Sequence, residues 1–182
     1  MKEMNRRAFL TLTGAALAMM ALTACDADDV PPAPPAPPAP AAPTTSEEAK
    51  VLEAIKKYRA AAGVKEQITL DNELKPAAEL VVKIAKGDMK FEDAIGDLGE
   101  VMKRYNDLSA PIGIAADKDT GNMMPVCIYL DDVEKMAQNL PLQVDEDTQE
   151  NLKSASLIAI QVFEYGGGKY WVALVAKGKV TP

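Results

Sequence analysis

The stretch Leu157-Ile-Ala-Ile-Gln-Val-Phe163, the glycines Gly166-Gly167-Gly168 and the run Lys169-Tyr-Trp-Val-Ala-Leu-Val175 together decide the fold class. Two segments rich in β-branched and aromatic residues, split by residues that tolerate positive φ, read as a β-hairpin. Working back from it, Ile112-Gly-Ile-Ala-Ala116 and Met124-Pro-Val-Cys-Ile-Tyr-Leu130 read as two more strands joined by Asp117-Lys-Asp-Thr-Gly-Asn122. That connection starts Asp-x-Asp, as a calcium loop does. Gly121 at its fifth position and Ile128 at its twelfth depart from an EF-hand, so a plain hairpin connection is the better reading.

Helices dominate the earlier part. Thr45-Ser46-Glu47-Glu48 is a capping box, followed by Val51, Leu52, Ile55 and Tyr58 at helical spacing and by Gly63 where a left-handed residue is wanted. Asp71 is placed to cap a second helix, with Leu74, Ala78, Val81 and Ala85 along one stripe, Pro76 tolerated near its start and Gly87 after its end. A weaker helix covers Phe91 to Tyr105. A short one runs from Asp131 to Leu140, begun by an Asp cap and stopped by Pro141, and a last turn spans Asp147 to Leu152. Helices first and hairpins later predict an α+β fold, with an antiparallel sheet covered by helices.

Composition narrows the chemistry. The chain has 182 residues, 48% of them hydrophobic, and no histidine. Lacking imidazole, it has neither Ser-His-Asp nor Cys-His catalysis, nor the commonest metal ligand. Removing residues 1–24 takes away three Lys/Arg and one Glu, which leaves 17 positive against 26 negative groups and a net charge of −9. Such an acidic chain, without a basic patch, does not fit nucleic acid as a partner. Cys127 sits in an apolar run and reads as a small core residue, and no cofactor or metal is expected.

The N-terminus gives the location. Lys2, Arg6 and Arg7 precede an apolar run, Ala8 to Leu22, that is shorter than the roughly 20 residues needed to span a bilayer. It reads as a signal peptide, residues 1–24. Asn5-Arg6-Arg7-Ala8-Phe9-Leu10 resembles a twin-arginine export signal. Leu22-Thr23-Ala24-Cys25 resembles a lipobox, which implies cleavage before Cys25, a diacylglycerol on its sulfur and palmitate-type acyl chains. Two or more such chains anchor a protein stably in a bilayer. Asp26 after the anchor favours the periplasmic side of an inner membrane. Residues 25–45 form a linker in which Pro31 to Pro43 reads PPAPPAPPAPAAP. As polyproline II it extends about 3.1 Å per residue, roughly 40 Å in all, and sets the domain of residues 46–182 clear of the headgroups.

Two segments of that domain resemble the CAP superfamily (SCP-like extracellular domains). The first is Val51-Leu52-Glu53-Ala54-Ile55-Lys56-Lys57-Tyr58-Arg59, Gly63, Ile68-Thr-Leu70, Asp71, Leu74, Ala77 and Ala78. The second is Glu150-Asn151-Leu152, the strand Leu157 to Phe163, the glycine turn and Tyr170-Trp171-Val172. The resemblance implies an α-β-α sandwich with a small antiparallel sheet. Members of the family often line a cleft with two His and two acidic residues. The two His positions fall here on Val81 and Thr148 and one acidic position on Glu100, so at most Glu100 survives, with Glu150 or Asp147 as candidates to assist it. A degenerate domain of this kind points to an envelope lipoprotein that is not an enzyme and that binds a cell-wall component, a protein or a lipid. Alternatives are a carrier of a small apolar ligand and, below it, a carboxylate hydrolase using Glu100 or Asp145-Glu146-Asp147.

Overall fold

The computed structural model describes residues 45–180. Its elements run α1 (Ser46–Ala61), β1 (Thr69–Leu70), α2 (Lys75–Lys86), α3 (Phe91–Met102), β2 (Tyr105–Asn106), β3 (Ile114–Ala116) and β4 (Met123–Pro125). There follow α4 (Val133–Gln143), α5 (Glu146–Ser154), β5 (Leu157–Tyr165), β6 (Gly168–Ala176) and β7 (Gly178–Lys179). Five helices with small sheets make an α+β fold, as the order of elements predicts.

The C-terminal hairpin forms the centre. β5 and β6 pair antiparallel from Leu157↔Ala176 to Tyr165↔Gly168. The loop is therefore just Gly166 and Gly167, both at positive φ (56° and 80°), the geometry that a two-residue hairpin turn demands. The expected purely antiparallel sheet needs correction, because β1 joins β5 in parallel, Thr69 opposite Leu157. The long excursion through α2, α3 and the β3–β4 hairpin gives the chain room for such a crossover. The two upstream strands are also shorter than expected. β3 and β4 pair over only three residues each, while Ile112 and Ile128 make single bridges to Ala173 and Tyr170.

Adjacent residues of the hairpin point to opposite faces, and each face has its own core. Ile158, Ile160, Trp171, Ala173 and Val175 pack with Val51, Ala54 and Ile55 of α1, Met136 and Leu140 of α4 and Leu152 of α5. Ala159, Phe163, Val172, Leu174 and Ala176 pack with Leu74, Ala77, Ala78 and Val81 of α2 and Val101 of α3. Helices thus cover both faces of one ribbon.

Local chemistry sets most helix ends. The Thr45 side chain accepts from the Glu48 amide at 3.1 Å, and Gly63 leaves α1 at φ 79°. Asp71, read as the cap of α2, does not cap it. Its Oδ1 accepts from the Glu73 amide at 2.8 Å in a turn that precedes the helix, and α2 begins only at Lys75 with Pro76 in its first turn. Pro141 does not stop α4, which continues to Gln143 behind its cap Asp132. A proline in the last turn removes one donor only. The orphaned carbonyls at this end are met by Gln149, whose Nε2 donates to Pro141 O at 3.2 Å and to Val144 O at 3.3 Å.

Candidate functional site

Arg6, Arg7 and Cys25, with the linker to residue 44, lie outside the described residues. The three positions inherited from the family resemblance lie in different settings. Val81 is fully buried in the core under α2. Thr148 lies on α5, which packs on the opposite face, and its amide donates to the cap Asp145 at 2.7 Å. Glu100 is on the solvent side of α3, 2.6 Å from Lys103. They do not line one cleft. Glu150 is likewise exposed and paired with Lys153 at 3.4 Å.

The other sequence features resolve into structural roles. Asp117 Oδ1 accepts from the amides of Asp119 (3.1 Å) and Thr120 (2.8 Å) and from the Thr120 hydroxyl (2.8 Å). The Thr120 hydrogen bonds hold its carboxyl below the usual range, so this side chain organises a turn. Among the described residues no group of three or more His, Cys, Asp or Glu is placed to hold a metal ion. Cys127 is buried, and burial pushes its thiol up to about 12. A thiol so protonated at neutral pH is not a nucleophile.

Three arrangements escaped the sequence reading. The first joins Asp71, Tyr105, Lys179 and Glu73. The Tyr105 hydroxyl donates to Asp71 Oδ2 at 3.2 Å. Lys179 Nζ reaches the same oxygen at 3.3 Å and Glu73 at 2.7 Å. Burial, followed by the Asp71 charge, pushes the phenol above its ordinary range. Each carboxylate has a donor, and the cluster ties β2 and β7 to the start of α2. The second is Arg59, only 2% exposed. Its guanidinium donates to the carbonyls of Leu152, Ala155 (2.8 Å) and Glu66 (3.0 Å), which fastens the end of α1 to the end of α5.

The third is a stripe along α3. Ala94 and Val101 face the core, whereas Phe91, Ile95 and Met102 are 42%, 52% and 54% exposed and Leu98 is half-buried. The 4-3-4 spacing of Phe91, Ile95, Leu98 and Met102 puts them on one ridge. Glu92, Asp93, Asp97 and Glu100 are exposed on the same helix. The ridge could be found in the sequence only as apolar positions beyond those a helix needs for its own core.

No family model, no curated protein and no solved structure matches this chain.

Proposed function

We propose that this chain is an exported cell-envelope protein, lipid-tethered through Cys25 on a stiff spacer, whose domain acts by binding a partner and not by catalysis. The export signal Arg6-Arg7, the lipobox and the proline tract support the location. The absence of histidine from the sequence supports a degenerate, non-catalytic domain of the CAP (SCP-like) type, and the separate settings of Val81, Glu100 and Thr148 leave that type's cleft unassembled. Helices on both faces of the central hairpin suit the α-β-α sandwich of that type.

One observation carries the binding reading, the exposed apolar ridge of α3. An ordered apolar stripe at the surface marks an interaction face. The four acidic residues on the same helix specify the complement, an apolar helix face flanked by Lys or Arg.

The test uses the full chain. Wild type fractionates with membranes and Cys25→Ala does not; a Cys25→Ala chain that stayed in the membrane would refute the tether. On the Cys25→Ala chain, a Lys/Leu amphipathic helical peptide should shift the α3 amide resonances, and a Glu/Leu peptide should not. Ile95→Glu should abolish the shifts. Equal binding of both peptides, or of neither, would remove the α3 reading. Lipid recovered with gently purified protein would turn the assignment to an apolar-ligand carrier.

A further inference from the structure

Buried charges in proteins are normally paired with an opposite charge. Arg59 departs from this in part: the Glu66 carboxylate acts on its charge from a distance, but no acid pairs with it directly among the described residues. All three of its hydrogen-bond acceptors are neutral backbone carbonyls, and it is in no ion pair among the described residues. Of the five N–H groups of a guanidinium, these bonds use three and leave two. Held by carbonyls from the end of α5 and from the loop after α1, the group cannot turn to find an acid elsewhere. It stands at the wall of a recess of about 250 Å³ lined by Lys56, Arg59, Val64, Glu66, Gln67 and Ile68.

The surroundings share its sign. The domain as a whole is acidic, yet Ala54 to Lys65 contains four cations and no carboxylate. Lys57 is paired with Glu134 at 2.5 Å. Lys56, one turn before Arg59 on the same helix face, and Lys65 at the loop are exposed and in no ion pair among the described residues. Glu66 is the one acidic side chain of the wall, and it leaves the recess net positive. The Gln67 amide adds a neutral donor.

We infer that this recess binds one oxyanionic group, a phosphate or a carboxylate, seated between the two unused N–H groups of Arg59 and the ammonium of Lys56. A guanidinium fixed in advance presents its remaining donors without reorganisation, which suits a planar or tetrahedral oxyanion. The volume lies below the roughly 300–1,000 Å³ of sites that enclose drug-sized ligands. The recess therefore takes the anionic end of a ligand and leaves the remainder outside. On a lipid-tethered domain that anion is either a free ion or the headgroup of an anionic lipid.

The experiment follows Cys25→Ala full-length chain by NMR during titration with inorganic phosphate. The expected result is saturable shifts of the Arg59 side-chain N–H and of the Val64 and Gln67 amides, with a Kd on the order of 1 mM. Lys56→Glu, at an exposed position whose loss the fold tolerates, should weaken binding by roughly fivefold or more. Lys86→Glu, on another helix, should leave it unchanged. Shifts that do not saturate, or that respond equally to Lys56→Glu and Lys86→Glu, would overturn the inference. Sedimentation with phosphatidylglycerol vesicles, lost in Lys56→Glu, would assign the headgroup. Phosphate binding without sedimentation would assign a soluble anion.

Discussion

Gly113 shows how one atom can decide a local path. It lies between Ile112, which bridges to Ala173, and β3, at φ 91°, and a Cβ there would sit 2.4 Å from the Trp171 carbonyl oxygen. Gly96 in α3 has open space around the same position and ordinary helical φ. Identical substitutions should therefore act in opposite directions. Gly113→Ala meets backbone strain and a clash with main chain, and is expected to lose about 3 kcal/mol. Gly96→Ala should gain about 0.5–1 kcal/mol from helix propensity. Urea unfolding followed by the fluorescence of Trp171, the single tryptophan, measures both. A loss at Gly96 or a neutral result at Gly113 would contradict these placements.

Among the elements, α5 depends on its cap. Asp145 accepts from the Thr148 amide at 2.7 Å, and its carboxyl is held below the ordinary 3.8 by hydrogen bonds from Thr148. A carboxyl depressed in the folded state stabilises above its unfolded value and loses that contribution as pH falls through the folded one. Thr148 should therefore become more exchange-prone below about pH 4, while Asp145→Asn, which keeps an acceptor but does not titrate, should show no such change. Asp145→Ala is expected to cost about 1 kcal/mol of stability at neutral pH. The end of α4 teaches a different lesson. Pro141 reads as a stop when only its own missing donor is considered. The helix runs two residues further, and Gln149, eight residues on from Pro141, caps its true end by donating to the Pro141 and Val144 carbonyls.

For the whole molecule, the lack of histidine has a measurable consequence. Every resolved shift of a carboxyl is downward, at Asp117, Asp131, Asp132 and Asp145. Resolved shifts at Lys50, Lys57, Lys169, Lys179, Cys127 and the tyrosines are upward. Depressed carboxyls lose their contribution only on acidification, and raised lysines only as pH climbs through their folded values. Among the described residues no resolved shift brings a group to neutrality, and the Cys127 thiol, raised from 9.0 to about 12, sets the alkaline edge, so the proton count of the folded and unfolded domain should match between about pH 5.5 and about 7.5. The melting temperature should be flat across that window at constant ionic strength, as calorimetry can check. A slope there would reveal a perturbed group that these shifts do not include.

What the sequence determined by itself is the set of features that local physics controls. The β5–β6 hairpin follows from two β-branched runs around glycines, and the ends of α1 and α2 from Thr45, Gly63 and Gly87. Charge and the missing imidazole follow from counting. Of the candidate site, only α3 itself was visible, as a weak helix without a face. Tertiary structure decided the rest, because it turns on partners distant in the chain. Arg59 meets carbonyls 93 and 96 residues away. Asp71 is drawn from helix capping into contact with Tyr105 and Lys179. β1 enters the sheet in parallel through pairing with residues 88 positions later. The burial of Val81 and the exposure of Phe91, Ile95 and Met102 depend on which helix face the ribbon covers. Periodicity describes a face, but only packing chooses its partner.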